Sequence, residues 1–270
     1  MMNILIPMAG AGQRFADAGY KISKPLIPVT DRHTGKVYPM VAAAVKDIIG
    51  AAGNGNIIFI YRSENGSGII SEISDQFPCA KFIGVDHLTE GQACTCLLAK
   101  DIINNDTPLF IGGCDNGMAV SPDRFSALSE NSDVLVFTYR HNDCVLSNPN
   151  AYGWVKADEN GAVSGVSVKK AISDDPMNDH AIVSSFWFRK GSDFVRCAEE
   201  MIASDDRING EFYVDKVIDY CVAEDLRVKV LEVDKYICWG TPADYENYEK
   251  TVHYWKDFIN SGFFMPNKHI

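Results

Sequence analysis

Three strings in the first half of the chain carry groups able to handle phosphate, a base and a cation. The first is Pro7-Met8-Ala9-Gly10-Ala11-Gly12-Gln13-Arg14-Phe15, with Lys24-Pro25 ten residues after Arg14. Glycines let a backbone approach a phosphate closely because no Cβ stands in the way. Successive N–H groups then form a concavity for an anion. One Arg can bridge phosphate oxygens and one Lys can add a point charge, a combination suited to a triphosphate. The string is not the dinucleotide fingerprint, since Phe15 holds the place of the third glycine, and no GxxxxGK[ST] run occurs. Taken alone, it is equally the composition of a Gly-rich surface turn.

The second string is Thr89-Glu90-Gly91-Gln92-Ala93-Cys94-Thr95. Its small residues would let a flat base slide against backbone, and Gln92 offers a hydrogen-bonding edge. The same residues would also make an ordinary helix start with Thr89 as cap. The third is Phe110-Ile111-Gly112-Gly113-Cys114-Asp115-Asn116, which puts an acid just after a short apolar run. A carboxylate there can hold Mg²⁺ together with substrate phosphate oxygens, or can bond its own backbone in a turn.

These strings need elements to position them. Apolar runs at 3–8, 56–61, 81–85 and 108–112 read as buried strands. Helical patterns at 39–52, 68–77 and 90–104 alternate with them, the first opening on Pro39. Strands alternating with helices predict a mainly parallel sheet with helices on both faces. Ligands on such sheets lie beyond the carboxyl ends of the strands, where the three strings fall. The second half reads differently. Runs at 153–158 and 162–169 flank Glu159-Asn160-Gly161, and Asn-Gly between β-rich runs signals a hairpin. A strand at 181–189, helices at 191–204 and 213–224, an alternating strand at 226–233 and a helix at 242–259 follow. The expectation is one domain, 1–270, with an antiparallel lobe added to a parallel core. Its parts are 1–120, 121–241, and a C-terminal helix and tail from 242. The mixed polar and aromatic tail, 257–270, is expected to dock on the domain or on a neighbouring subunit of a homo-oligomer. Trp154, Trp187 and Trp255 read as packing residues, and the six histidines form no cluster.

Composition narrows the classes. Hydrophobic residues make up 46% and charged residues 23% of the 270, which excludes a disordered or fibrous chain. The formal charge is −11, with no Lys/Arg run, so a nucleic-acid partner is not expected. No apolar run spans a bilayer, and no secretory leader pattern opens the chain. Eight cysteines without a CxxC or a nearby His imply free thiols in a reducing cytoplasm rather than disulfides or zinc.

In combination and order, the motifs resemble the sugar-phosphate nucleotidylyltransferases, or nucleoside-diphosphate-sugar pyrophosphorylases. The resemblance covers nearly the whole chain. Gly10-Ala11-Gly12-Gln13-Arg14 with Lys24-Pro25 is similar to the family's opening, and Gly91-Gln92-Ala93 to its small-residue turn before a helix. Asp115 stands where its metal acid stands. Tyr152-Gly153, Lys169, Glu211-Phe212-Tyr213 and Gly240-Thr241-Pro242-Ala243-Asp244 follow in family order. Several strings look closest to a branch found beside capsule and surface-polysaccharide genes.

The resemblance implies an α/β, Rossmann-like fold with an acceptor-binding lobe, and transfer of a nucleotidyl group from NTP to a phosphorylated small-molecule acceptor with release of pyrophosphate. It implies that Arg14, Lys24 and Asp115 carry the chemistry. Ala9, Gly10, Gly12, Gln13, Thr89, Gly91, Gln92 and Ala93 would bind the nucleotide. Gly153, Lys169, Glu211 and Tyr213 would bind the acceptor, and Asp115 would hold Mg²⁺. Two departures bear on this. Cys238 stands where many members have a second metal-binding Asp, and Val168-Lys169 replaces the usual Glu-Lys. They leave the acceptor open between a sugar 1-phosphate and another phosphorylated compound, the latter as a cytidylyltransferase would use. A nucleotide-sugar-dependent glycosyltransferase and a non-enzymatic nucleotide sensor are the alternatives from other classes.

Overall fold

The computed structural model describes residues 1–261. The expectation for the end of the tail, 262–270, lies outside the described residues. In chain order the strands are β1 (Met2–Met8), β2 (Pro28–Thr30), β3 (Val37–Pro39), β4 (Gly55–Arg62), β5 (Lys81–Val85), β6 (Leu109–Ile111), β7 (Asn116–Ala119), β8 (Val134–Tyr139), β9 (Gly153–Ala157), β10 (Val163–Val168), β11 (His180–Phe188), β12 (Val228–Glu232) and β13 (Lys235–Cys238). The helices are α1 (Gln13–Asp17), α2 (Met40–Ala52), α3 (Gly66–Ser74), α4 (Gln92–Leu97), α5 (Lys100–Ile103), α6 (Pro122–Glu130), α7 (Gly191–Ala203), α8 (Val214–Ala223) and α9 (Pro242–Asn260).

β1 is buried along its whole length. It pairs in parallel with β4 on one side and β6 on the other, and β5 extends the parallel set beyond β4. Successive side chains of a strand point to opposite faces, so β1 feeds two cores. Ile4 and Ile6 pack with Val41, Val45 and Ile48 of α2 and with Ile69 and Ile73 of α3. Leu5 packs with Ala93 and Cys96 of α4, Phe194 and Ala198 of α7, and Val217 and Ile218 of α8. The expected α/β sheet with helices on both faces is therefore present. A third, smaller core of Phe15, Ile27, Val29, Met40, Ile237 and Trp239 backs the segment that carries Lys24.

The expected antiparallel lobe is continuous with this sheet. β11 pairs antiparallel with β6 at one end and with β9 at the other, and β9 and β10 form the hairpin, giving the order β10-β9-β11-β6-β1-β4-β5. β8 pairs with β11 and, in parallel, with β12. β7 and β13 form a separate antiparallel pair that joins Asn116 to Cys238.

Three expectations are corrected. The helix at 90–104 is two short helices, because Leu98 and Ala99 donate three residues back, to the carbonyls of Thr95 and Cys96, and the first helix closes there. Residues 113–152, left without elements, contain β7, α6 and β8. The run Val-Leu-Val-Phe-Thr-Tyr of β8 is buried throughout. Trp154 and Trp187 are buried, but Trp255 is 54% exposed, on a face of α9 that bears no buried residue. Among the described residues, no helix is long and apolar enough to cross a membrane.

Candidate active site

A cavity of about 430 Å³ lies beyond the carboxyl ends of β1 and β6. Its wall includes Ala9, Gly10, Gly12, Lys24, Thr89, Gly91, Gln92, Asp115 and Glu211. These residues come from five separate stretches of sequence that converge on one space.

The phosphate loop starts where β1 ends. Gly12 has φ 63 and precedes α1, whose Phe15 and Ala16 donate back to its carbonyl. That left-handed turn favours glycine. Among the described residues, the N–H groups of Gly10, Ala11 and Gly12 donate to nothing. Backbone donors must find a partner when covered, so a ligand that fills this side of the cavity meets three free donors.

Lys24 opens a single 3₁₀ turn with Pro25 fixed behind it. Its Nζ lies 2.5 Å from Asp115 Oδ2 and 3.1 Å from the Gly240 carbonyl. Burial is the largest single influence on Lys24 and works to lower its pKa, but Asp115, through its charge and hydrogen bond, and Cys114 together outweigh it, and the net direction is up. The ammonium is therefore held charged. Asp115 is fixed from its backbone as well, since its carbonyl accepts from Trp239 N at 3.0 Å. The cavity thus has a charge pair at its floor and free N–H donors on its wall.

The loop before α4 forms the opposite wall. Gly91 has φ 126, and a Cβ there would stand 2.5 Å from the backbone N and O of Phe212. Only glycine permits that approach. Phe212 N donates to the Glu90 carbonyl at 2.8 Å, and Ala93 N donates to the Phe212 carbonyl at 3.0 Å. Arg207 stacks 4.2 Å over the Phe212 ring and reaches Glu90 at 3.0 Å. This seam sets Glu211 on the cavity beside Gly91 and Gln92. Thr89 is not the helix cap. Its hydroxyl meets that of Thr95 at 2.5 Å, and both turn to the Gly91 carbonyl.

Other expected residues are not on the wall. Gln13 is exposed and its amide bonds Asp17 at 2.6 Å. Arg14 is exposed on α1, near enough for its charge to act on Lys24. Ala93 is buried in the core beneath the wall. On the hairpin side, Lys169 has φ 57, and its Nζ donates to the Ala151 carbonyl and lies 5.7 Å from the Tyr213 ring centre. Burial, with the Glu211 carboxylate next, pushes the Tyr213 hydroxyl up to about 12. Gly153 packs against Asp215 so closely that a Cβ would stand 2.1 Å from Oδ2. Gly153, Lys169, Tyr213 and Asp215 thus form a cluster behind Glu211. Sequence reasoning missed Ser184 on the cavity wall. It lies inside a buried strand, where no motif marks it.

The donor set bears on a metal. Among the described residues, no group of three His, Cys, Asp or Glu side chains could hold an ion. Burial pushes the Cys238 thiol up to about 12; its Sγ lies 3.5 Å from Asp244 Oδ2 and accepts from Gly240 N. A protonated thiol is a poor ligand for a hard cation, which takes oxygen. Of the two expected metal positions only Asp115 is a carboxylate, and the other carboxylate on the cavity wall, Glu211, sits on the seam beside Gly91. That fits an ion delivered on substrate phosphates and not a preformed two-carboxylate site. Beyond Cys238 lies a larger cavity, about 850 Å³, between β13, α9 and the turn after β2.

The nucleotidyl transferase family model matches residues 4–257. No curated protein sequence matches the chain. Among solved structures, the chain is similar to the nucleoside-diphosphate-sugar pyrophosphorylase of Vibrio cholerae RC9, with TM-score 0.72 and 20% identity over 92% of this chain and 99% of that one. It is also similar to a UDP-glucose pyrophosphorylase complexed with UDP-glucose, with TM-score 0.70 and 18% identity over 95% and 99% of the two chains. A third is the inositol-1-phosphate CTP transferase of T. maritima, with TM-score 0.69 and 12% identity over 92% and 94%. At these identities the likeness is one of fold.

Proposed function

The chain belongs to the nucleotidyl transferase family, and from that premise we propose that it transfers a nucleotidyl group from an NTP to a sugar 1-phosphate or another phosphorylated small-molecule acceptor, releasing pyrophosphate. The observation that carries this reading is the Lys24–Asp115 pair beside the free N–H groups of Gly10, Ala11 and Gly12, in one cavity. Those groups suit a phosphate chain, with its charge spread over many oxygens.

In the proposed reaction an acceptor phosphate oxygen attacks the α-phosphorus in line. The bond to the bridging oxygen breaks, and pyrophosphate leaves with the electron pair. The nucleophile is already an anion, so catalysis is positioning and charge neutralisation. Lys24 faces the α-phosphate, and Arg14 folds from α1 toward the departing pyrophosphate. Ala9, Gly10 and Gly12 line the phosphates, while Thr89, Gly91 and Gln92, backed by the buried Ala93, build the base wall. Glu211 bonds a group of the acceptor. Lys169 binds its phosphate after leaving the Ala151 carbonyl, with Gly153 and Tyr213 around it. Asp115 would hold Mg²⁺ brought in on the phosphates, which supplies positive charge there when bound.

The likeness in motifs to a capsule-associated branch supports a role in building surface polysaccharide. The eight free thiols are compatible with a cytoplasmic site. A screen of four NTPs against sugar 1-phosphates and phospho-alcohols, read by pyrophosphate release, tests the proposal. Release that needs both substrates supports it. No release with any pair, or release without an acceptor, overturns it.

A further inference from the structure

One polar side chain on the cavity wall is held there by an unfavourable backbone. The ladder between β11 and β8 passes from Ile182–Thr138 to Phe186–Val136, so residues 183–185 bulge opposite Phe137 alone. The bulge spans the point where β11 leaves β9, after Ala181–Trp154, and joins β6, at Phe186–Ile111. By that antiparallel register it lies level with Gly112 and Gly113, just before Asp115. Across the sheet the order is therefore phosphate loop after β1, Asp115 after β6, the bulge of β11, and Gly153 at the start of β9. Whatever the bulge contacts lies on the hairpin side of Asp115, away from the phosphate loop.

Within the bulge Ser184 has φ 59, a left-handed conformation that strains any residue with a Cβ. Glycine would occupy it without that cost. Ser184 is the one residue of 181–188 that is not buried, and it lines the cavity with Gly113, Asp115 and Glu211. Among the described residues its hydroxyl has no hydrogen-bond partner. The adjacent Ser185 Oγ is buried and also unpartnered. Strain retained where a cheaper residue would fit points to a use for the side chain, and a hydroxyl can donate to an anionic oxygen.

We propose that Ser184 is a substrate contact whose hydroxyl donates to the acceptor's phosphate as it lines up on the α-phosphorus. This rests on the nucleotidyl transfer proposed above. Bulges beside active sites serve to re-aim one side chain, and this one aims Ser184 at the space between Asp115 and the hairpin.

Two variants separate the hydroxyl from the strain. Ser184→Ala removes the oxygen and keeps the strained Cβ, while Ser184→Gly removes both. Each is expected to raise acceptor KM about tenfold or more, the scale for losing a hydrogen bond to a charged group. NTP KM should stay within about twofold, because only one substrate is touched. Ser184→Gly should also melt above the wild type. Wild-type acceptor KM in Ser184→Ala overturns the contact, and an equal rise in both KM values overturns its assignment to the acceptor. A Ser184→Gly variant that melts below the wild type overturns the strain argument. A wild-type protein that releases no pyrophosphate overturns the proposed reaction and this contact together, so that control tells the two failures apart.

Discussion

The phosphate side and the hairpin side of the molecule treat their charges in opposite ways. On the phosphate side, Asp115 meets Lys24 at 2.5 Å on the cavity floor, so both charges are balanced where a ligand would arrive. On the hairpin side, Asp215 is buried behind the wall, and Lys169 is turned onto a carbonyl. Burial pushes the Asp215 carboxyl up to about 6, with the Lys169 charge only partly offsetting it. The first arrangement is ready for a polyanion as it stands. The second has a cation to release and a carboxylate to balance, which suits a side that adjusts when its substrate binds.

The largest expected effect breaks the ready side. Asp115→Asn should cut turnover about 10²-fold or more, the scale for losing one preorganised charge, with little change in melting temperature. Turnover near the wild type would show that the pair is only structural. Next in size is the seam between the two sides. Gly91→Ala puts a Cβ 2.5 Å from the Phe212 backbone, so it should lower the melting temperature by several degrees and raise KM for both substrates. Circular dichroism melts and two-substrate kinetics check this, and an unchanged melt would contradict the close approach.

Smaller effects sharpen the hairpin side. Lys169→Ala should raise acceptor KM about tenfold, with less effect on NTP KM. Equal damage to both would move Lys169 out of the acceptor site. The last concerns Asp215. Its folded pKa of about 6 lies above the ordinary carboxyl value, so the folded state holds the proton more tightly. Its contribution to stability is full at low pH and falls as pH rises from about 4 to 6. Asp215→Asn should therefore melt a few degrees above the wild type at pH 8, with the gain gone at pH 4. A variant less stable at pH 8 would mean that the Lys169 charge outweighs burial.

Much of the phosphate side was legible in the sequence because its residues sit on short loops after buried strands. There chain order dictates position, so Gly10, Gly12, Lys24, Gly91 and Asp115 reach one cavity. Arg14 and Gln13 belong to the same string but face solvent, since a five-residue helix turns their side chains outward. The hairpin side was legible as elements and not as a site. Glu159-Asn160-Gly161 announced the turn, yet where Lys169 points depends on its φ of 57 and on Ala151, eighteen residues away. β8 is a buried apolar run of the same kind as β1 and β4, so its signal was present in the sequence and was passed over. Ser184 left no trace, because a bulge arises from how β11 shares its ladder among β6, β8 and β9.

The central claim is attack on the α-phosphorus, and following the label tests it most directly. NTP labelled at the α-phosphate, incubated with an acceptor that gives pyrophosphate, should pass its label to the acceptor product. NTP labelled at the γ-phosphate should yield labelled pyrophosphate and unlabelled product. Label from the γ-position in the product, or α-label that stays with free nucleotide while the acceptor is consumed, would contradict the account.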